Sequence, residues 1–270
     1  MTLLAAIIAT KKREVDELRQ RPRSRSARVP IDAGAALRRS PEGQLRLIAE
    51  IKLRSPSAGP LSRRLDPAAR AVAYAEAGAS MVSVLCDGPF FDGSWQHLAS
   101  ARERLDATGR RMALLAKEFV VDERQIQEAI DCGADVVLLI ARIVDPGRLS
   151  ELARAARDEG IEPLIEVVDE RELEAALAAG ARVVGVNARD LDTLAMDGER
   201  TARVLASIPR EVTAVHLSGL REPRDVAAIA RGRADAALVG EALMRDDDPR
   251  PRLRGLVAAG CSPLDLPDAR

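Results

Sequence analysis

Short apolar runs recur along the chain near 47–52, 81–85, 112–117, 136–140, 162–166, 183–187, 212–217 and 236–239, separated by longer stretches rich in alanine and charge. Most are apolar throughout rather than alternating. That is the pattern of parallel strands covered on one face by helices and on the other by a core. Four follow a weak repeat: "AEAGASMVSVL", "AIDCGADVVLLI", "ALAAGARVVGV" and, more loosely, "IARGRADAALVG". In each, an Ala-rich helix stops at Gly78, Gly133, Gly180 or Gly232, where a glycine is expected to turn left-handed and close the helix. Eight strand–helix units over 47–260 predict an α/β fold, a (β/α)8 TIM barrel. An open doubly wound sheet fits less well, because no Gly-rich phosphate fingerprint follows the first run. Residues 1–46 read as a helical N-terminal extension of the same single domain, 1–270, and 261–270 as a tail. Leu3, Leu4, Ile7, Ile8, Val15 and Leu18 suit one face of an amphipathic helix within that extension.

The first run breaks the apolar rule. In "LIAEIKLRSPSAGPL" (47–61), Glu50 and Lys52 share a strand face with Ile48. Burying charge is costly unless it is paired, so such a row is a solvated edge or a site. Barrels of this type carry their chemistry at the C-terminal strand ends. Polar residues gather at most of those ends: Glu50, Lys52 and Ser55; Lys117 and Glu118; Glu166; Asn187 and Arg189; Ser218 and Gly219; Gly240. The recurrence predicts that Glu50 and Lys52 project into the barrel mouth. "SGL" and "VGEAL" at the ends of strands seven and eight read as small-residue turns into helices, whose free N–H groups favour a phosphate. Ser55, Ser57 and Gly59 of the first loop are expected to close over it.

Composition narrows the partners. The 270 residues are 31% charged with a net charge of -1, which argues against nucleic acid or a membrane surface. The one basic run, "RQRPRSRSAR" (19–28), reads as a solvated connector. No segment approaches the ~20 apolar residues of a membrane span. The opening puts its apolar run before its charges, the reverse of a secretory signal. Cys86, Cys132 and Cys261 are scattered and odd in number, as in a reduced, cytoplasmic protein.

Several pieces together resemble the indole-3-glycerol phosphate synthase family of tryptophan biosynthesis: "IAEIK..SPSAG", "FFDGSW", "KEF", "GADVVLLI", "EPLIEV", "GVNARDLDTL", "SGL" and "VGEALM". The resemblance implies a carboxy-lyase. It decarboxylates and cyclises 1-(o-carboxyphenylamino)-1-deoxyribulose 5-phosphate to indole-3-glycerol phosphate, carbon dioxide and water, with no cofactor and no metal. By the same resemblance Lys117 is the general acid at the ketone oxygen, and Lys52 holds the substrate carboxylate. Glu166 is the base or proton shuttle of the dehydration, while Glu50 and Asn187 position and polarise. Arg189, Ser55, Ser218, Gly219 and Gly240 serve the phosphate, and Phe91 and Phe119 the anthranilate ring. Water loss needs both acid and base close together. A lysine among other cations in an enclosed mouth is expected to have a lowered pKa. The resemblance leaves monomer or homodimer open and implies that residues 1–46 fold over the site.

The chain also departs from the pattern. The family's "ESG" is here "LSG", so Leu217 replaces an active-site carboxylate. His216 is next door but on the opposite strand face, where a packed, helix-facing imidazole is expected. "KDF" is here "KEF", with Glu118 one methylene longer. Ala116 and Leu53 stand where basic residues are common, and Cys86 where Thr is common. Three readings follow: a synthase that tolerates Leu217, a specialised paralogue of secondary metabolism acting on a related arylamino sugar phosphate, or a catalytically weak sugar-phosphate-binding barrel.

Overall fold

Every apolar run forms a strand. The computed structural model describes residues 2–21, 28–55, 59–62, 64–190 and 195–261. Its barrel strands are β1 (Arg46–Ile51), β2 (Met81–Leu85), β3 (Ala113–Lys117), β4 (Val136–Ile140), β5 (Glu162–Val167), β6 (Val183–Asn187), β7 (Thr213–Leu217) and β8 (Ala236–Val239). All pair in parallel with their neighbours, and β1 pairs with β8 to close the barrel. The helices are α1 (Leu3–Arg19), α2 (Ala33–Leu37), α3 (Pro67–Glu76), α4 (Gly88–Phe91), α5 (Trp95–Ala107), α6 (Glu123–Asp131), α7 (Pro146–Asp158), α8 (Glu170–Ala178), α9 (Gly198–Ser207), α10 (Pro223–Ala230), α11 (Glu241–Met244) and α12 (Arg250–Ala259).

Side chains alternate between two cores. Ile48, Met81, Leu115, Val136, Leu138, Leu164 and Val215 fill the barrel, while Ala49, Val82, Leu114, Val137 and Ile165 pack outward against the helices. Aspartates start many of the helices: the side chains of Asp66, Asp145, Asp169 and Asp197 each accept a backbone N–H of the first turn. Gly78, Gly133 and Gly180 close their helices with φ of 95°, 85° and 74°. Gly232 does not. Helix α10 ends through a right-handed Arg231, and the Gly232 N–H donates to the Ile229 carbonyl in a tight turn that needs no left-handed residue.

The N-terminal extension reaches both ends of the barrel. Leu4 and Ile7 of α1 join the inner core from the mouth, and Ala33 and Leu37 of α2 join it from the other end. There Arg38 and Arg39 donate to the carbonyls of Glu211 and Ala234, just before β7 and β8. The basic run has ion pairs at its edges: Arg19 with Asp122 at 2.7 Å, Arg21 with Glu128 at 3.6 Å, and Arg28 with Asp135. Residues 22–27 of that run, Ser57, and tail residues 262–270 lie outside the described residues. Among the described residues, no helix is long and apolar enough to cross a membrane.

Asp135, fully buried just before β4, ties the extension to the barrel. It accepts from the Ile31 N–H at 2.7 Å, the Leu114 N–H at 2.8 Å and the Arg102 guanidinium at 2.7 Å. Removing one partner of a buried pair leaves the others unsatisfied. Asp135→Ala is therefore expected to cost about 3–5 kcal/mol in urea unfolding. A loss below about 1 kcal/mol, the scale of one ordinary hydrogen bond, would refute this role.

Candidate active site

The inward face of the strands carries the polar residues to the mouth. On β1, Glu50 is one alternation above Ile48 and almost completely buried, and Lys52, just past the strand end, donates to its Oε1 at 2.8 Å. The carboxylate fits there because a glycine follows β8: a Cβ at Gly240 would lie 2.6 Å from Glu50 Oε1. On β3 and β5, the Lys117 ammonium donates to Glu166 Oε2 at 3.3 Å. Asn187, at the end of β6, donates to the other carboxylate oxygen of Glu166 at 2.8 Å. Its own carbonyl accepts from Ser218 Oγ at 2.7 Å and from the Arg189 N–H at 3.0 Å. A continuous polar chain thus runs from Lys117 to the end of β7.

The charges do not behave as the sequence predicted. Burial would lower the pKa of Lys117, but Glu166 and Glu50 overrule it and hold the lysine above its ordinary value. The expectation of a lowered pKa assumed neighbouring cations. The other lysine of the mouth is already paired with Glu50, and the groups facing Lys117 are carboxylates. Burial pushes Glu50 up, and Lys52 and Lys117 bring it below the ordinary carboxylate range. The mouth therefore holds a firmly protonated ammonium beside the carboxylate groups of Glu166 and Glu50.

Thirteen candidate residues line one cavity: Glu50, Lys52, Ser55, Phe91, Lys117, Phe119, Glu166, Asn187, Arg189, Leu217, Ser218, Gly219 and Gly240. Phe91 and Phe119 stand with ring centroids 6.0 Å apart and planes tilted by 31°. A third ring between them would need about 7 Å, two carbon–carbon contacts of ~3.5 Å, so the pair forms one apolar wall rather than a sandwich. Leu3, Leu4 and Ile7 of α1 extend the cavity's apolar lining. The end of β7 differs from the expected turn into a helix. Ser218 and Gly219 both take positive φ, 69° and 90°, and α10 begins only at Pro223. At β8 the expectation matches better, with Gly240 capping the short α11. Gly59 lies on a two-stranded ribbon, Arg54–Ser55 with Gly59–Pro60, and is not part of the lining.

Leu217 points into the barrel beside Asn187 and fills the space left by Gly185, whose Cβ would meet it at 2.6 Å. His216 faces the helices. Burial drops its pKa to about 4, and its Nδ1 has no protein partner, so it cannot stand in for a carboxylate at 217. Cys86 and Ala116 also belong to the outer core. Among the described residues no three His, Cys, Asp or Glu side chains are grouped as metal ligands.

Sequence reasoning missed Asp87 and Lys11. Lys11 is fully buried on α1. The available signal was its place in the stripe Leu4, Ile7, Lys11, Val15, Leu18, where a lone charge interrupts apolar positions at helical spacing. Lys11 meets Glu118, also buried, whose carboxyl burial pushes up to about 7.

Comparison with known proteins gives a consistent answer. The family model described as indole-3-glycerol phosphate synthase matches residues 4–256. The indole-3-glycerol phosphate synthase of a Parafrankia species is 43% identical over 96% of this chain and 93% of its own. That of Mycobacterium ulcerans is 40% identical over 88% and 85%. Indole-3-glycerol phosphate synthase 1 of Streptomyces coelicolor is 42% identical over 92% and 89%. Among solved structures, a 3-hexulose-6-phosphate synthase superposes with a TM-score of 0.60 at 19% identity, over 80% of this chain and 99% of its own. That likeness speaks for the barrel alone.

The Glu118 carboxyl gives a prediction. Its folded pKa of about 7 lies above the ordinary 4.5. Stability from this group is therefore complete below about pH 4.5 and is lost as pH rises through 7. Relative to Glu118→Gln, the native protein should lose stability between about pH 5 and 8, read from urea midpoints. Parallel curves for the two proteins would contradict the assignment.

Proposed function

The chain belongs to the indole-3-glycerol phosphate synthase family, and we propose that the cavity carries out the family's decarboxylative cyclisation through the residues just described. The substrate is a phosphorylated arylamino sugar, 1-(o-carboxyphenylamino)-1-deoxyribulose 5-phosphate. Its ring carbon bearing the carboxylate attacks the ketone, and the ketone oxygen takes a proton from the Lys117 ammonium. Carbon dioxide leaves and aromaticity returns. The new hydroxyl then departs as water while a proton is lost from the adjacent CH2. Glu166, 3.3 Å from Lys117, is placed to receive and return protons between these steps. Lys52 meets the substrate carboxylate, Glu50 holds Lys52, and Asn187 orients Glu166. Arg189, Ser55, Ser218, Gly219 and Gly240 take the phosphate end, and Phe91 and Phe119 the aryl end.

The observation that carries this reading is the pairing of Lys117, at the rim of the mouth, with the buried Glu166. An ammonium held above its ordinary pKa by two carboxylates is an acid that stays loaded at neutral pH and has a base within reach. Cys86, Cys132 and Cys261 are all free thiols, which supports a reducing compartment such as the cytoplasm. Leu217 favours a second reading, a related arylamino sugar phosphate as the true substrate, because the family's carboxylate at that position is gone.

Product fluorescence decides. Wild-type protein is expected to turn over the substrate, and Lys117→Met to lower kcat by about 10²–10⁴-fold, the range of a general acid. Leu217→Glu is expected to raise indole formation. No wild-type turnover, or a lower rate in Leu217→Glu, would move the assignment to another arylamine.

A further inference from the structure

One buried cation plays no part in that chemistry. The Lys11 ammonium lies 2.7 Å from Asp87 Oδ1, 2.9 Å from Glu118 Oε1 and 2.8 Å from Glu14 Oε2. Asp87 follows β2 and Glu118 follows β3, so a side chain of α1 bridges two neighbouring strand ends. Each of these carboxylates also holds the backbone of an aromatic residue. Asp87 Oδ2 accepts from the Phe90 and Phe91 N–H groups at 2.9 and 3.1 Å. Glu118 Oε1 accepts from the Phe119 N–H at 2.7 Å. Phe91 and Phe119 are the two rings of the cavity wall. Leu4 and Ile7, on the same face of α1 as Lys11, line the same cavity.

We propose that Lys11 is a positioning residue for the aryl end of the substrate: its ammonium fixes the spacing of Asp87 and Glu118, through them the Phe91–Phe119 wall, and draws α1 against it. A single carboxylate would be enough to anchor a helix by one lysine. Here the ammonium meets two fully buried carboxylates from different loops, and both are committed to the aromatic backbone. The proposed phosphate end is built elsewhere, from Ser218, Gly219 and Gly240 just past β7 and β8, so the two ends of the substrate respond separately to Lys11.

The proposal rests on the aryl substrate assigned above, and its test reads binding rather than turnover. The probes are the substrate with its ketone reduced to an alcohol, which cannot cyclise and is followed by its anthranilate fluorescence, and inorganic phosphate as its competitor. In the full chain, Lys11→Met is expected to weaken the reduced analogue tenfold or more and to leave the inhibition constant of inorganic phosphate within twofold. With the true substrate, KM should rise by a similar factor while kcat changes less than threefold. Equal losses for both probes, or a lower melting temperature with unchanged analogue binding, would overturn the proposal. Should Lys11→Met fail to fold, Asp87→Asn decides by the same two readings. It keeps an oxygen for the Phe90 and Phe91 amides but turns an NH2 toward the ammonium. Wild-type binding of the analogue without turnover of the substrate would count against the reaction and leave the role of Lys11 standing. Failure of the wild-type protein to bind the analogue would overturn both.

Discussion

Four charged side chains stand at the top of an apolar barrel, and they remain there because they neutralise one another in pairs. At the 3.3 Å separation of Lys117 and Glu166, an effective dielectric of ~20 gives an attraction of about 5 kcal/mol. Withdrawing each ion from water costs several kcal/mol. The terms are of similar size, so the pairs contribute little net stability. What they supply is fixed position and, for Lys117, a firmly held proton. In the proposed reaction, loss of the Lys117 proton would leave Glu166 as a buried carboxylate without its counter-charge, which favours prompt return of the proton.

The barrel makes that placement possible. Alternation along each strand aims every second side chain at the axis, so one residue type at a strand end is enough to bring Glu50, Lys117, Glu166 and Asn187 together from four strands. Space for them comes from neighbouring glycines. Gly240 leaves room for Glu50, and Gly185 for Leu217. The end of β7 relies instead on backbone shape, with two successive positive-φ residues at Ser218 and Gly219. In a non-glycine residue that conformation is strained, and it sits where strain is commonly retained for function.

Much of this is legible in the sequence, because strand position, face and strand end all follow from local periodicity. The eight runs became the eight strands, and the polar residues at their ends share one cavity. What could not be read is pairing between distant segments. The pKa of Lys117 moves up rather than down because Glu166 and Glu50 face it, a fact of closure and not of spacing. Local periodicity does not name the partners of Lys11 and Asp135. Their burial depends on elements far along the chain. Gly232 shows a smaller failure, where a repeat predicts the helix end and not the way it is closed.

The N-terminal extension has a consequence in time as well as in space. Its contacts span the chain: Ile31 meets Asp135 across 104 residues, Arg38 meets Glu211 across 173, and Arg39 meets Ala234 across 195. The extension is synthesised before the strands it packs on, and it must wait for β8 before all of these contacts can form. Contacts of such separation carry a large loop-closure cost and form slowly. Until they form, the barrel lacks its cover at one end and its plug at the other, and the apolar side of the cavity stays open. The growing chain must keep the apolar stripe of α1 out of other associations until its partners at Asp87, Glu118 and Asp122 have been made, and the interruption of that stripe by a lysine makes it less adhesive while it waits.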